Sequence, residues 1–288
     1  MNRVDAARAD VGSAAKAVQL AFPYRLAAID IDDTLVGPDK AIGDANRQAV
    51  QRLQQAGCRV VLASGRDHFS MDIYQRRLGM DDFVVSSQGA LVVHPASGHQ
   101  LWRLALEAPL AVELLQEGRA AGFEVLLCTD DGYVAATRSQ WAPAGGRRLD
   151  ASVHVLGGDL DALAHQGPLK VLWYGAPAAV ASHSRRMVEA LGERAEVVIT
   201  TAHLLEFNAR GATKAAGVAA VARHYGIDQA TVLAFGDSHN DVSMLGWAGL
   251  GVAMPHAVPE ARAAANVVAP EAPAESALAV AIESLLSR

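Results

Sequence analysis

The chain is predicted to be an α/β protein: a doubly wound parallel-sheet core interrupted by an inserted α+β domain. Three observations predict it. From residue 24 to 89, apolar runs of strand length alternate with helical stretches. From 90 to 209 strands come in pairs across turns, with helices between the pairs. From 210 to 288 the first rhythm resumes. Strand–helix alternation with short connections builds parallel sheets, and hairpins mixed with helices build antiparallel ones. A length of 288 residues with 51% hydrophobic and 19% charged residues allows one large domain or two ordinary ones, each with its own core.

The first strand is Leu26-Ala27-Ala28-Ile29, an apolar run ending in Asp30, Asp32, Asp33 and Thr34. Asp44 is a candidate N-cap for a helix to about Ala56, stopped by Gly57. Arg59 to Ala63 is the second strand; it ends in Ser64-Gly65-Arg66, and a helix runs on to about Leu78. Phe83 to Val85 is the third. In the insertion, Ala90 to Val93 and Leu101 to Leu106 flank the turn Pro95-Ala96-Ser97-Gly98, and a helix spans about Leu110 to Ala121. Phe123 to Cys128 and Tyr133 to Thr137 flank Asp130-Asp131-Gly132, a good hairpin turn. Leu169 to Tyr174, a helix over about Ala178 to Leu191, and paired strands from Val197 to Phe207 follow. Lys214 then opens a helix to about Tyr225. Thr231 to Phe235 is a strand ending in Gly236-Asp237-Ser238-His239-Asn240-Asp241. Gly251 to Met254 and Asn266 to Ala269 are short strands, and a helix from about Ala274 to Leu286 closes the chain.

Composition narrows the function classes. A net charge of −6 argues against a nucleic-acid partner, which calls for a basic face. Cys58 and Cys128 sit in apolar strand-like runs and read as buried thiols, not as a disulfide framework or a metal cluster. Arg3, Asp5, Arg8, Asp10 and Lys16 interrupt any apolar secretory segment at the start. The longest stretch near the C-terminus without Asp, Glu, Lys or Arg, Val242 to Pro259, carries glycines, prolines and His256, which argues against a membrane helix. A cytoplasmic protein is expected, with residues 1–23 as an N-terminal extension, a frayed helix or disordered.

Three apolar strands thus end in polar loops. If they lie parallel in one sheet, the loops meet on one edge, the edge where open α/β sheets bind ligands. That edge would gather Asp30, Asp32, Asp237 and Asp241 with Ser64, Lys214 and Asn240. A carboxylate pair such as Asp30 and Asp32 repels itself; it persists if a cation binds, if one member holds a proton, or if the site is wet. Alone, Asp-x-Asp-x-Thr is also a common capping turn. The full inventory suits a phosphate and a hard divalent cation such as Mg²⁺, with carboxylates on the cation and a hydroxyl, the backbone amide after Ser64 and an ammonium on phosphate oxygens. A carboxylate nucleophile can split one hard displacement into two easier ones, while the second carboxylate gives a proton to the leaving alcohol and takes one from water.

In this order the four pieces resemble the haloacid dehalogenase superfamily of phosphohydrolases. Asp30-Ile31-Asp32-Asp33-Thr34 looks like its first motif, Ser64 the second, Lys214 the third, and Gly236 to Asp241 the fourth. The insertion is similar to the cap of the Cof-like sugar-phosphate phosphatase subgroup. The resemblance covers about residues 24 to 288. It implies that Asp30 is the nucleophile and Asp32 the general acid/base. It implies that Asp30, the main-chain carbonyl of Asp32 and Asp237 hold Mg²⁺, with Asp241 supporting the metal or orienting Lys214. Ser64, Gly65, Lys214 and Asn240 would bind the phosphate of a small phosphorylated metabolite. The core would be 24–89 and 210–288, and the cap, the substrate-specificity domain, 90–209. The sequence departs from the pattern at Asp33, where glycine is commoner, and at Gln88, where the subgroup often has asparagine.

The expected activity is Mg²⁺-dependent hydrolysis of phosphate monoesters through an aspartyl-phosphate. A phosphomutase on the same scaffold and a non-catalytic phosphometabolite sensor are the rivals. No Gly-x-x-x-x-Gly-Lys-Ser/Thr loop is present, which counts against a nucleotide-triphosphate site of that type. Blander readings stand beside each assignment. Lys214 has that of a solvated residue in a first helical turn, Asn240 of a helix N-cap, and Arg66 of a helix-start ion pair. Trp141, Tyr133, His203 and Arg210 read as packed or solvated cap residues, and His239 as an exposed loop histidine. Oligomeric state has no signature in the sequence.

Overall fold

A computed structural model describes residues 22–136 and 155–287, with residues 155–157 described in their backbone only. β1 (Leu26–Ile29), α1 (Asp44–Gln55), β2 (Arg59–Ala63), α2 (His68–Leu78) and β3 (Val84–Ser86) follow the expected alternation. A hairpin of β4 (Leu91–His94) and β5 (His99–Arg103) comes next. The inserted region holds α3 (Ala108–Ala120), β6 (Glu124–Thr129), β7 (Gly132–Ala135), β8 (Val155–Gly157) and α4 (Leu160–Ala164). It continues with β9 (Lys170–Tyr174), α5 (Pro177–Leu191), β10 (Ala195–Thr201) and β11 (Leu204–Ala209). The chain then returns through α6 (Lys214–His224), β12 (Val232–Gly236), α7 (Val242–Trp247) and β13 (Leu250–Ala253). It ends with α8 (Pro259–Ala264), β14 (Val267–Val268) and α9 (Ala277–Leu286).

The first sheet has eight strands in the order β14-β13-β12-β1-β2-β3-β4-β5. From β14 to β3 every pairing is parallel. Helices cover both faces, which is why the strands read as unbroken apolar runs. Along β1, Ala27 and Ile29 pack with Val50 and Leu53 of α1, Met71 of α2 and Ile282 of α9. Leu26 and Ala28 pack with Val218 and Val221 of α6 and Leu245 of α7. Burying a side chain such as Leu or Ile contributes about 1.5–3 kcal/mol, so β1, wholly buried, sits at the centre and its C-terminal end is held in place from both sides. Asp44 is not the cap of α1; Gly43 occupies that position, and Asp44 is the first helical residue.

The expected domain boundary at residue 90 shifts. β4 pairs antiparallel with β3, and β5 with β4, so this hairpin extends the first sheet. A hairpin's own sequence specifies its turn but not the sheet it joins; here the apolar Val84 and Val85 supply the receiving edge.

The second sheet has six strands in the order β10-β11-β9-β6-β7-β8, antiparallel except between β7 and β8. Its two faces differ. Val125, Leu127, Val171, Trp173, Leu205 and Phe207 pack under α3, α4 and α5. The alternate residues Leu126, Cys128, Tyr133 and Leu172 join the apolar cluster of the first sheet. The second sheet therefore lays one face on its own helices and the other toward the parallel sheet. Trp141, expected in this region, lies outside the described residues, as do residues 1–21. Among the described residues, no helix is long and apolar enough to cross a membrane.

Both cysteines are buried and free, and burial pushes each thiol up to about 12. Only the thiolate reacts, so at pH 8 neither is expected to react with a disulfide reagent in the native protein. Colorimetric titration should count both thiols only after denaturation; rapid native reaction would contradict this packing.

Candidate active site

Asp30 follows β1 directly, and its backbone amide donates to the Phe235 carbonyl at 3.0 Å, tying the end of β1 to the end of β12. The chain then folds back on itself, with the amides of Leu35 and Val36 donating to the Ile31 carbonyl at 3.0 Å each. Asp33 takes a φ of 62° in that turn. This is the left-handed region that glycine adopts freely and that aspartate tolerates better than most residues.

Lys214 is fully buried at the start of α6, and the hydroxyl of Thr213 caps that helix by accepting from the Ala216 amide at 3.2 Å. The Lys214 Nζ donates to Asp30 Oδ1 at 2.6 Å and to Asp241 Oδ1 at 2.6 Å. Asp241 Oδ2 accepts from the amides of Asp237 and Ser238, each at 3.0 Å. These bonds close the loop after β12, where Ser238, not Asn240, is the capping residue. Asp237 in turn accepts from the Thr34 hydroxyl at 3.1 Å. Oxygens of Asp30, Asp237 and Asp241 all lie within 4.8 Å of one another.

Electrostatics follow from the crowding. Burial raises the Asp30 carboxyl well above its usual range; Lys214 opposes this, and Asp241, Asp237 and Asp32 add to it. Burial and then the Asp241 charge push Asp237 up to about 6. Burial alone would lower the Lys214 ammonium, but Asp241 and Asp30 outweigh it and the net shift is upward. One ammonium among three carboxylates leaves a deficit of positive charge. Hard oxygen donors at this spacing fit a divalent cation such as Mg²⁺.

Asp32 does not add its carboxylate to this cluster. Arg66 grips it through Nε at 2.7 Å and Nη2 at 2.8 Å, and Lys40 lies at 2.7 Å. Burial opposes ionisation, but Arg66 and then Lys40 outweigh it and hold the carboxyl below its usual range. Arg66 is thus an ion-pair partner just ahead of α2, which Asp67 caps. Lys40 was not anticipated; it stands at φ 59° after Asp39, a turn signal that gives no hint of its partner.

Ser64 is buried at the end of β2, and its hydroxyl accepts from the Arg66 amide at 3.3 Å. Asn240 donates to Gln88 Oε1 at 3.0 Å. Lys170 donates to the Gly65 carbonyl and to Glu206 Oε2, both at 2.8 Å. Neither Lys170 nor Glu206 was singled out in the sequence. The signal was a charge inside an otherwise apolar strand, Leu169-Lys170-Val171-Leu172 and Leu205-Glu206-Phe207, since a fully buried charge is rare unless paired. Tyr133 is buried near Lys170, whose Nζ lies 5.4 Å from its ring centre. His203 pairs with the Gly175 carbonyl, Arg210 with Glu196, and His239 with Glu260, none of them in the cluster. A crevice of about 470 Å³ lined by Arg59, Asp82 and Tyr225, among others, shares no residue with the cluster and opens where β2 begins.

The profile of the haloacid dehalogenase-like hydrolases matches residues 27–282. The chain belongs to that family. It is accordingly an enzyme, a phosphatase of the haloacid dehalogenase type. Curated relatives include the HMP-PP phosphatase of Cronobacter sakazakii, 29% identical over 242 residues, covering 82% of this chain and 86% of the relative. The HMP-PP phosphatase of Escherichia coli O8 is 28% identical over 246 residues, covering 83% and 87%. Among solved structures, a haloacid dehalogenase-like hydrolase from Bacteroides thetaiotaomicron has a TM-score of 0.79 at 25% identity, covering 91% of this chain and 99% of that one. A HAD/COF-like hydrolase from Plasmodium vivax has a TM-score of 0.83 at 18% identity, covering 93% and 97%, and shares the fold.

Two outcomes are expected from this geometry. Lys214→Met would strand buried carboxylates, and breaking such a pair costs about 3–5 kcal/mol; urea unfolding should read a loss of that order, and unchanged stability would contradict the bridge. Mg²⁺ added to chelator-treated protein should raise its melting temperature by mass action, and Asp237→Asn should remove most of the rise in calorimetry.

Proposed function

We propose that the enzyme hydrolyses phosphate monoesters of small metabolites, with Asp30 as nucleophile and Mg²⁺ as cofactor. The observation that carries this reading is the convergence of Asp30, Asp237, Asp241 and Lys214 at the C-terminal edge of β1 and β12. Asp30, Asp237, with support from Asp241, and the main-chain carbonyl of Asp32 would hold the cation. Bound there, Mg²⁺ would offset the charge of the phosphoryl group and keep Asp30 ionised.

In the reading's first half, an Asp30 oxygen attacks phosphorus, the bond to the leaving oxygen breaks, and an aspartyl-phosphate forms. Lys214, already on Asp30, offsets charge on that side. Ser64, Gly65 and Asn240 hold phosphate oxygens from the loops after β2 and β12. In the second half, water attacks phosphorus, Asp32 takes its proton, and the bond between phosphorus and the Asp30 oxygen breaks, which frees inorganic phosphate and restores the Asp30 carboxylate. The ionised state in which Arg66 and Lys40 hold Asp32 suits that half. Donating a proton to the leaving oxygen in the first half requires this clamp to loosen. The inserted sheet covers the site, excludes water while phosphorus is transferred, and meets the leaving group. The HMP-PP phosphatases and a HAD subclass IIB sugar phosphatase among the structural relatives support a small phosphorylated metabolite as substrate.

The test is phosphate release from a panel of phosphorylated metabolites, with Mg²⁺ and with chelator. Release is expected only with Mg²⁺, and Asp30→Asn should lower kcat by about 10³-fold or more. Release that persists in Asp30→Asn would remove the nucleophile assignment.

A further inference from the structure

The turn between β3 and β4 is Ser87-Gln88-Gly89, and its residues stand at φ 50°, 62° and 92°. Two of the three carry a Cβ. Left-handed backbone at consecutive residues other than glycine is strained, and such strain persists only where the surroundings over-determine it. Here they do. The Gln88 amide donates to the Ser64 carbonyl at 3.1 Å and the Ser87 amide to the Arg66 carbonyl at 2.8 Å, which stitches the turn to the loop after β2 on either side of Gly65. Gly89 faces the backbone of Thr213, the residue before Lys214. From the second sheet, Cys128 Sγ lies 3.5 Å from the Ser87 hydroxyl.

The strained turn delivers one carboxamide to one place. Gln88 Oε1 accepts from Asn240 Nδ2 at 3.0 Å. That bond commits one end of the amide. The other end, Nε2, is buried and has no hydrogen-bond partner among the described residues, and the whole residue is only 3% exposed, which keeps bulk water from it. A Cβ built on Gly65 would lie 2.5 Å from Nε2, 2.9 Å from Cδ and 3.3 Å from Oε1, so the amide rests against the α-carbon of Gly65. It is wedged between the loop that carries Ser64 and Gly65 and the loop that carries Asn240, the residues assigned above to phosphate oxygens. A buried N–H is almost always paired, and one left bare is costly. A bare donor between two such loops calls for an oxygen that arrives with the substrate.

We propose that Gln88 is a further phosphoryl-binding residue: Nε2 donates to an oxygen of the transferring phosphoryl group, while Oε1 holds Asn240 toward the same group. This rests on the phosphatase reading and adds to it a donor from the end of a further strand, β3. The bond is made to the phosphoryl group whichever alcohol leaves, so Gln88 acts on every ester alike. It acts directly, and not only through Asn240.

The test measures kcat/KM for phenyl phosphate, glycerol phosphate and a hexose phosphate, and inhibition by inorganic phosphate, all with Mg²⁺. Wild type, Gln88→Met, Gln88→Leu, Asn240→Ala and the double variant Gln88→Met with Asn240→Ala are compared. Gln88→Met keeps the length of the side chain and removes its donor; it should lower kcat/KM about 10²-fold, by the same factor for each ester that wild type hydrolyses. The inhibition constant for inorganic phosphate should rise about tenfold or more. In the Asn240→Ala background Gln88→Met should still cost about tenfold, because the lost bond runs to the phosphoryl group itself. Gln88→Leu should repeat these losses, which keeps the test open if methionine disturbs the turn. Unchanged kinetics and phosphate inhibition in both single variants, a loss confined to one leaving group, or no further loss in the Asn240→Ala background overturns the proposal and leaves the phosphatase standing. A wild type that releases phosphate from no ester in the presence of Mg²⁺ overturns the phosphatase reading itself, and the proposal with it.

Discussion

Lys214 is the point on which the site depends. Its ammonium is buried between Asp30 and Asp241, so three separate pieces of chain must meet within hydrogen-bond distance or leave charges stranded. The end of β1, the start of α6 and the loop after β12 are placed by that requirement. Asp241 carries the constraint further: its second oxygen takes the amides of Asp237 and Ser238, which sets the loop in which Asp237 stands. Gly89 lets the start of α6 come close enough. With a φ of 92°, it faces the backbone of Thr213, and a Cβ there would lie 2.0 Å from the Thr213 carbonyl oxygen.

The two aspartates two residues apart are driven in opposite directions. Asp30 is buried among other carboxylates with a shared ammonium, and its carboxyl is raised. Asp32 is clamped by Arg66 and Lys40, and its carboxyl is held low. The turn through Asp33 makes this possible, since it aims neighbouring side chains into different surroundings. Carboxylates whose environments separate their proton affinities are how one site runs both nucleophilic and acid–base steps. Positive charge is short on one side of the turn and abundant on the other, and a bound cation would remove that imbalance.

The second sheet adds a contact that is chemical as well as covering. Its helix-facing side is an ordinary apolar core around Trp173, whose Nε1 finds the Leu114 carbonyl at 3.0 Å. Its other side presents Lys170, Glu206 and Asn208 within an otherwise apolar surface. A buried ion pair contributes little net stability compared with apolar packing; here it gives the sheet a directed bond to the Gly65 carbonyl, so the covering layer and the loop after β2 are registered on each other.

Much of this was written in the chain. Apolar runs such as Leu26–Ile29 and Thr231–Phe235, each ending in carboxylates, determined both the parallel sheet and the edge that carries Asp30, Ser64, Asp237, Asn240 and Asp241, because parallel strands necessarily bring their C-terminal loops to one side. The tertiary structure alone decided the rest. It gave the hairpin at Leu91–Arg103 to the first sheet, turned Asp32 away from the other carboxylates toward Arg66 and Lys40, and brought Lys170 onto Gly65, 105 residues away in sequence. Local pattern records which residues share a strand or a helix face. It does not record which distant backbone a buried charge will find, because that partner is chosen by packing, and by the cost of leaving the charge without one.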